Sequence, residues 1–518
     1  MDDRFWKNPV FLISSITILI IVVFGAAAPV SFGKIANILY DFTQINFGWF
    51  YLLTVFSLIV FLIGLTLSKY GAIRLGGDDS EPDYPFFTWI GMLFSAGFGV
   101  GLVFWGVAEP MSHYFISPTE GVADSSAESA RIAMGYSFFH WGISQWAIFG
   151  LVGLVIAFLQ FRKKKDGLIS TALEPVVGSN KYVKNGIDSF AVIATVMGIA
   201  TSIGLGVLQM GGGLESVFGF DNNVLLQTII IIVVFGAYML SSGTGLNKGI
   251  RYLGNFNLSL SIVLLLFFFF IGPTVFIMET FTVAIGDFIT HFINYSLRLQ
   301  PYRGGTWVND WTIFYWSWTI AWSPFVGAFV ARVSKGRTIR EFIGGVVIVP
   351  PVLAMFWIAT LGGTALHSDL NNGTKIAEAV DKDVTSALFA TLEHLPFTNL
   401  LSVLSIILVA TFLITSGDSA TYILASMTTK GSLMPPLIVK VIWGVLMAAI
   451  AGILLYAGGL ESLETASLVS ALPFTVLLIL LMFSIVKLLK KEPITVREVD
   501  VRQYEDIRKE AEKQRDED

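Results

Sequence analysis

Four tryptophans lie within twelve residues, in a stretch between Trp311 and Trp322 that is apolar enough to cross a membrane. At 3.6 residues per turn, four aromatic residues share one helix face, namely Trp311, Tyr315, Trp318 and Trp322. The faces of aromatic rings attract a desolvated cation, and a quaternary ammonium group suits them best because it has no N–H donors to satisfy. Tryptophan also marks membrane–water interfaces, but that role explains only the residues near the end of the span. The spacing therefore predicts a site for an onium group.

The fourth apolar span supplies a second aromatic face, in the stretch HWGISQWAIFG that begins at His140. Trp141, Trp146 and Phe149 lie within about 140° of helix arc. Two aromatic faces on separate helices can enclose a cation, whereas isolated aromatic residues more often face lipid or the core. The two stretches together predict an aromatic cage. His140 itself is expected to be an interfacial or hydrogen-bonded structural residue.

Two spans contain glycines at alternate positions, which predicts breaks in their helices. These glycines are Gly97, Gly99 and Gly101 in the third span, and Gly204, Gly206 and 211–213 in the fifth. Glycine destabilises a helix interior by about 1 kcal/mol, and in a membrane the freed backbone groups must face protein or a water-lined cavity. Discontinuous helices build the sites of secondary transporters in this way. Close helix packing through small residues is the alternative.

Two adjacent hydroxyl groups in the tenth span, on Thr415 and Ser416, form a candidate sodium site. Hydroxyl and carbonyl oxygens can replace the water around Na⁺ beside a broken helix. Such hydroxyls also commonly bond to their own helix backbone. We expect Na⁺ as a coupling ion and no organic cofactor.

The motifs of an enzyme or an ATP-driven pump are missing from the sequence. No P-loop, HExxH or GxSxG motif occurs, there are no cysteines, and the five histidines do not lie at zinc-ligand spacing. Any work must therefore draw on an ion gradient. We expect no nucleic-acid partner.

Twelve apolar spans can be counted along the 518 residues, of which 54% are hydrophobic and 14% charged. The spans are 9–30, 48–68, 86–109, 136–161, 187–210, 224–243, 257–279, 311–331, 341–362, 397–420, 436–457 and 465–487. Each is near the ~20 residues that cross a bilayer. Lysine and arginine concentrate in the loops on the side of the N-terminus, which predicts cytoplasmic termini. The sequence thus predicts an all-α polytopic membrane protein embedded in a lipid bilayer, with short helices in the 363–396 loop.

The chain resembles the betaine/choline/carnitine transporter family, specifically its sodium-coupled bacterial members. The matching segments, in the order of the family, are AGFGVGLVFWGVAEPMSHY at 96–114, HWGISQWAIFG at 140–150, TSIGLGVLQMGGG from Thr201, LNKGIRYLGNFN at 246–257, WTIFYWSWTIAWSPFVGAFVARVSKGRTIREFIGG from Trp311, and LITSGDSATYILASM at 413–427. These segments run through the whole chain. The part of the Trp311 segment that begins at Trp322 is highly specific.

The resemblance implies a LeuT-type architecture, in which two inverted five-helix repeats follow two extra N-terminal helices. The corresponding segments are 1–85 for helices 1 and 2, 86–280 for the first repeat (helices 3–7), 281–488 for the second repeat (helices 8–12) and 489–518 for a charged cytoplasmic tail. It also implies the bacterial plasma membrane as the location and, for some members, a homotrimer.

The resemblance assigns site residues as well. The substrate residues that it implies are Trp141, Trp146, Phe149, Trp318, Thr319 and Trp322, with the unwound Gly97, Gly99 and Gly101 beside them. The sodium site that it implies uses backbone groups of Ser95, Phe98 and Phe412 and the hydroxyls of Thr415 and Ser416. A second sodium site would involve Thr201 and Phe325.

Two cage positions depart from the pattern of the family, because Phe149 stands where tyrosine is usual and Thr319 where tryptophan is usual. One wall of the cage is thus less aromatic and gains a hydroxyl. No acid lies in 95–106, so a zwitterion, whose own carboxylate the N–H groups of the unwound segment can receive, fits better than a bare cation. Na⁺-coupled symport of glycine betaine for osmoprotection is the expected function. The alternatives are choline or carnitine transport, by symport or exchange, and a membrane sensor that binds substrate without transport.

Overall fold

The computed structural model describes residues 5–97, 99–244, 249–302, 304–493 and 508. Within these ranges the chain forms α-helices and no strand, apart from one isolated antiparallel bridge between Arg74 and Thr338. The helices are α1 (Pro9–Ala27), α2 (Pro29–Leu67), α3 (Phe86–Gly97), α4 (Val100–Phe115), α5 (Ala127–Trp141), α6 (Ile143–Ala157), α7 (Ile169–Val177), α8 (Lys181–Phe218), α9 (Val224–Thr244), α10 (Gly249–Ile271), α11 (Thr274–Ser296), α12 (Phe314–Val333), α13 (Ile339–Asn372), α14 (Ile376–Lys382), α15 (Ala387–Leu392), α16 (Thr398–Thr428) and α17 (Leu437–Leu489). The predicted all-α fold is confirmed, and α14 and α15 are the short helices expected in 363–396.

Ten helical stretches of the described residues are long and apolar enough to cross a membrane. One of them, α17, is 53 residues long and breaks at Gly458 and Gly459, where φ is +60° at Gly459. It therefore covers two of the predicted spans. The predicted third and eighth spans are not among the ten. The third is divided between α3 and α4, and the eighth, α12, carries indole and hydroxyl side chains where other spans carry aliphatic ones.

The predicted break in the third span is confirmed. The helix α3 ends at Gly97 and α4 begins at Val100, with Gly99 in extended conformation between them (φ −136°, ψ −170°). The predicted break in the fifth span is wrong, since α8 is continuous. A Cβ on Gly204 would lie 2.4 Å from Leu463, and one on Gly206 would lie 2.6 Å from Leu413. These glycines therefore allow neighbouring helices to pack closely against α8, which was the alternative interpretation of their spacing.

Both described ends of the chain lie at one end of the helix bundle. Arg162, at the end of the fourth span, bonds to Asp78 at 2.8 Å and to Glu492 at 2.5 Å. At the other terminus, the Asn8 side chain donates to the Thr428 carbonyl at the end of α16 (2.7 Å). This end of the bundle also carries the basic loops at 162–165 and 332–340, and we call it the basic end. Two chain ends on the same side of a membrane require an even number of membrane-spanning segments.

The helix α11 was not expected, because the sequence placed a loop there. Its first turns contact the opposite end of the bundle, where Phe276 meets His367 at 5.0 Å. Asp287 forms a bidentate pair with Arg131 at the start of α5 (2.7 and 2.8 Å). Arg298, just beyond α11, donates to the Pro118 carbonyl at 2.5 Å. The first turn of α11 and the residue just beyond its last turn thus both contact the end of the bundle opposite the basic end.

Lowering the pH is expected to release the segment that follows α17. Glu492 is buried, which by itself would raise the pKa of its carboxyl, but hydrogen bonds from Lys163 and Arg162 outweigh burial and hold that pKa below its usual range. A carboxyl with a lowered pKa in the folded state stabilises docking at and above the ordinary glutamate pKa, and that stabilisation disappears as the pH falls through the lowered value.

Hydrogen–deuterium exchange of residues 488–493, corrected for intrinsic rates, measures this release between about pH 7 and pH 3. Faster exchange is expected at the acid end, and Glu492→Gln is expected to exchange fast already at neutral pH. A wild-type segment equally protected at both pH values would contradict the assignment. The rest of the predicted tail lies outside the described residues, apart from residue 508.

Candidate functional site

A column of parallel aromatic rings runs along α12. Trp318 and Trp322 stack with centroids 5.9 Å apart and planes 9° apart. Phe314 continues the column on one side of Trp318 (6.0 Å, 5°) and Phe325 on the other side of Trp322 (6.0 Å, 20°). We call these four residues the aromatic stack. All four are buried, so a cation beside them would be desolvated, which is the condition under which ring faces attract charge most strongly.

The predicted ladder is correct for Trp318 and Trp322 and wrong for Trp311 and Tyr315. A π-helical turn, Asn309–Ile313, precedes α12. A π turn holds one residue more than an α turn, which rotates Trp311 off the face of the stack. The Trp311 ring instead contacts His113 at 4.3 Å and Trp105 at 5.5 Å. The Tyr315 ring is tilted by 45° to Trp318, and Phe314 stacks on Trp318 in its place.

Two of the predicted residues of the fourth span, Trp141 and Phe149, meet the stack edge-on, and the third, Trp146, contacts Phe149. The Trp141 ring lies 6.1 Å from Trp318 at 80°, and Phe149 lies 5.7 Å from Trp322 at 79°. Trp146 contacts Phe149 at 5.7 Å and 88°. Trp141 and Trp146 lie on different helices, because the fourth span breaks at Gly142 between α5 and α6. The structure thus assembles these three residues and the stack into the predicted cage.

The break in the third span covers the open side of the stack. A Cβ on Gly101 would lie only 2.3 Å from Cη2 of Trp318 and 3.3 Å from Cη2 of Trp141. A Cβ on Gly99 would lie 3.8 Å from the same atom of Trp322. Gly97 ends α3, and nothing further is described of it. The bare backbone of Gly99 and Gly101 therefore lies against the rings. Gly101 was predicted to be unwound as well, but it lies in the first turn of α4.

The enclosed cavity at this place is small. It is lined by Gly99, Gly101, Ser202, Trp322, Phe325 and Ser416, among others, and its volume is about 10 Å³. A volume of that order accommodates one water molecule. A solute must therefore separate α4, α8, α12 and α16 to reach the stack.

Two further hydroxyl groups lie on the cage helices α8 and α12, and of these two residues Ser202 lines the cavity. Ser202 was not predicted, yet its Oγ accepts a hydrogen bond from Nε1 of Trp318 (3.3 Å) and it lines the cavity. Its only sequence signal was its place one residue after Thr201. The Thr319 hydroxyl is buried and has no hydrogen-bond partner within the described part of the chain. A buried hydroxyl without a partner is costly unless a ligand or water satisfies it.

The structure separates the two hydroxyls of the predicted sodium site. Ser416 lines the cavity beside Gly99. The Thr415 hydroxyl donates to the carbonyls of Thr411 and Phe412 (3.0 Å each) and accepts from Nδ2 of Asn257 (3.1 Å). Phe412 is buried on the same helix, nothing is described of the Ser95 side chain, and Phe98 lies outside the described residues. The donor set still fits a cation, since the buried Oδ1 of Asn257 has no partner among the described residues.

The predicted second sodium pair is not brought together by any contact. The Thr201 hydroxyl bonds to the Leu463 carbonyl at 3.0 Å and to Ser467 Oγ at 2.8 Å, both on α17. Phe325 belongs to the aromatic stack and lines the cavity with Ser202. Thr201 thus faces α17, and its neighbour Ser202 faces the cage.

A buried carboxylate adjoins the cage and was missed. Oε2 of Glu109 accepts hydrogen bonds from Nε1 of Trp141 (2.9 Å) and from the hydroxyl of Tyr315 (2.5 Å). Oε1 lies 2.6 Å from Nδ1 of His140, whose Nε2 is 2.9 Å from Thr312 Oγ1. His140 was expected to be interfacial or hydrogen-bonded, and it is hydrogen-bonded. Glu109 lies three residues beyond the segment 95–106, in which the sequence has no acid.

The same carboxylate belongs to the one metal-compatible set found among the described residues. Ligand atoms of Glu109, His113 and His140 lie within 4.8 Å of one another, although their sequence spacing gave no such signal. The 2.6 Å contact between Glu109 and His140 is a hydrogen-bond distance, and both oxygens of Glu109 already accept bonds. A metal would have to displace this network, so the set does not fit a resident ion.

An all-helical bundle with broken helices around a buried aromatic site is the arrangement of a secondary transporter. The sequence pattern of the betaine/carnitine/choline family of transporters (BCCT) matches residues 9–494, and the chain belongs to this family. It is 59% identical over 491 residues to the ectoine/hydroxyectoine transporter of Virgibacillus pantothenticus, covering 95% of this chain and 98% of the relative. It is 44% identical over 475 residues to the glycine betaine transporter OpuD of Bacillus subtilis (strain 168), covering 91% and 92%. These relatives are transporters and not enzymes.

Proposed function

We propose that this chain is a Na⁺-coupled symporter that takes up a zwitterionic compatible solute across the bacterial plasma membrane. The observation that carries the proposal is the stack of Trp318 and Trp322 under the bare backbone of Gly99 and Gly101. Ring faces attract an onium group. The first N–H groups of α4, which have no partners within the helix, favour a carboxylate. A zwitterion offers both groups at once.

Ectoine and hydroxyectoine are the first candidates, and glycine betaine is the second. The sequence alone favoured glycine betaine, and the relatives just described carry names with each solute. A cyclic amidinium differs from a quaternary ammonium because its N–H groups need acceptors. The hydroxyl of Ser202, a residue that lines the cavity, is a suitable acceptor, which supports the amidinium.

One observation makes choline a further candidate substrate. Glu109 places a carboxylate directly behind Trp141. A carboxylate at this place can neutralise a bare cation, so the lack of an acid in 95–106 does not disfavour choline.

We further propose twelve crossings with cytoplasmic termini, arranged as inverted repeats at 86–280 and 281–488 in a LeuT-type fold. The even parity, the two halves of α17 and the position of α11 support this count. The concentration of lysine and arginine at the basic end supports its cytoplasmic location.

Uptake by the purified full chain in proteoliposomes tests the function. Labelled ectoine, glycine betaine and choline are each offered with an inward Na⁺ gradient or an equal K⁺ gradient. At about 100 mV and a tenfold gradient, one Na⁺ supplies about 3.7 kcal/mol, or roughly 500-fold accumulation. Accumulation of a zwitterion only with Na⁺ is expected. Uptake indifferent to sodium would refute symport, and binding without uptake would favour the sensor.

Ser416→Ala is expected to raise the sodium concentration for half-maximal uptake by about tenfold, because a lost oxygen ligand to a charged group is worth over 1 kcal/mol. Thr415→Ala is expected to act in the same direction and less strongly, since its hydroxyl faces Asn257. Initial uptake rates against sodium concentration measure both. Thr411→Ala is the matched control, because that hydroxyl bonds only to its own helix backbone. An unchanged sodium dependence in Ser416→Ala would remove this residue from the site.

A further inference from the structure

Glu109 is a fully buried carboxylate to which four side chains direct polar atoms. Three of them bond to it at 2.9 Å or less, namely Trp141, Tyr315 and His140. The fourth, His113, places Nε2 at 3.4 Å from Oε1. No lysine or arginine pairs with Glu109 within the part of the chain that the structure describes. The charge of this carboxylate is therefore met by hydrogen-bond donors, two of which belong to histidines.

The bond between Trp141 and Glu109 has a fixed direction. Indole nitrogen only donates, so Oε2 of Glu109 must accept from Trp141. Oε1 lies 2.6 Å from Nδ1 of His140, whose Nε2 lies 2.9 Å from Oγ1 of Thr312. An ionised carboxylate accepts such hydrogen bonds more strongly than a neutral carboxyl does. The carboxylate charge of Glu109 therefore lies directly behind the cage.

Trp141 connects this charge to the cage. Its Nε1 faces Glu109, whereas its Cη2 lies 3.3 Å from the point where a Cβ on Gly101 would be. Donation to a carboxylate polarises the donor, which makes the indole ring more negative and a better partner for a cation. The Tyr315 ring, whose hydroxyl bonds to the same oxygen, lies 5.7 Å from the Trp141 ring.

We propose that Glu109 is a specificity-determining positioning residue. It fixes the Trp141 and Tyr315 rings, and its charge, transmitted through Trp141, selects the cationic group of the solute. The inference rests on the proposed function, because it presumes that the cage receives an onium or amidinium group. It predicts that a net cation depends on Glu109 more than a zwitterion does, since a zwitterion brings a compensating carboxylate.

Glu109→Gln tests the proposal, since it keeps the shape and removes the charge. The measurements, in proteoliposomes of the full chain, are KM and maximal rate for the transported zwitterion and the inhibition constant of choline. We expect the inhibition constant of choline to rise at least tenfold and the KM of the zwitterion to rise less than threefold. Equal changes in the two constants, or a fall in maximal rate alone, would reduce Glu109 to a structural residue and overturn the proposal.

Two further variants separate charge from shape. Tyr315→Phe removes one donor and keeps the carboxylate, so the ratio of the two constants should stay within threefold of wild type. Glu109→Asp keeps the charge and should restore that ratio, even where the maximal rate falls. If Glu109→Gln does not elute as a monodisperse protein, the aspartate variant decides, because a ratio that collapses despite the retained charge overturns the proposal. Failure of the proposed function is recognised separately, since the wild type would then accumulate none of the three solutes.

Discussion

Gly101→Ala is expected to abolish uptake while the protein still inserts and folds. The added Cβ would lie 2.3 Å from Cη2 and 3.1 Å from Cζ2 of Trp318. Trp318 cannot move aside easily, because it is stacked between Phe314 and Trp322 and bonded to Ser202. Overpacking of this kind costs about 1–3 kcal/mol, and a misplacement of about 1 Å at a site can reduce a rate ~100-fold.

Initial uptake of the proposed zwitterion, normalised to the amount of monodisperse protein, measures this effect. The matched control is Gly91→Ala on α3, in the same predicted span, where a Cβ would meet nothing within 4 Å. The control is expected to transport like the wild type. Uptake in Gly101→Ala above a tenth of the wild-type rate would show that the rings yield readily and that the close approach of backbone and ring is not required.

Trp322→Leu is expected to weaken the apparent affinity for the solute by about 30-fold, corresponding to the ~2 kcal/mol of a desolvated cation–π contact. Trp322 stacks on Trp318 and Phe325 and receives the edge of Phe149, so its loss interrupts the column at its centre. Trp322→Phe retains a ring face and is expected to lose only about fivefold, within the range for exposed to partly buried pairs.

The matched control for this series is Trp316→Leu. Trp316 lies on the same helix and is also buried, but its ring contacts Phe139 at 5.3 Å and His140 at 5.9 Å and takes no part in the aromatic stack. Both leucine variants should therefore lose stability, as large-to-small changes in a core do, and only Trp322→Leu should change the affinity. Equal affinities for Trp322→Leu and wild type would mean that the stack serves packing alone.

The sequence predicted the parts of the site that depend on local periodicity. Trp318 and Trp322 are four residues apart on one helix, and the break at Gly99 follows from three alternate glycines. Both features are properties of a short segment, so no knowledge of the rest of the chain was needed. The fold class was predictable for the same reason, because length and hydrophobicity alone identify most spans.

The sequence predictions were wrong or incomplete where residues far away in the chain decide the local structure. The glycines of α8 resemble those of the third span, but Leu463 and Leu413 pack against them and the helix continues. Glu109 is an ordinary helical residue by sequence, and its importance appears only when α5 and α12 place Trp141 and Tyr315 on its oxygens. Adjacent hydroxyls likewise point about 100° apart on a helix, which is why Ser416 reaches the cavity and Thr415 meets Asn257.

The π turn at Asn309–Ile313 has a consequence for how the length of this chain can change. A π turn is equivalent to one residue inserted into an α-helix. Removing one residue there would convert the turn to α-helix and leave both Trp311 and the aromatic stack in their present orientations. The same deletion between Phe314 and Phe325 would rotate one part of the stack against the other by about 100°. The segment just before the stack can therefore lose a single residue while the stack keeps its orientation, whereas the stack itself cannot lose one.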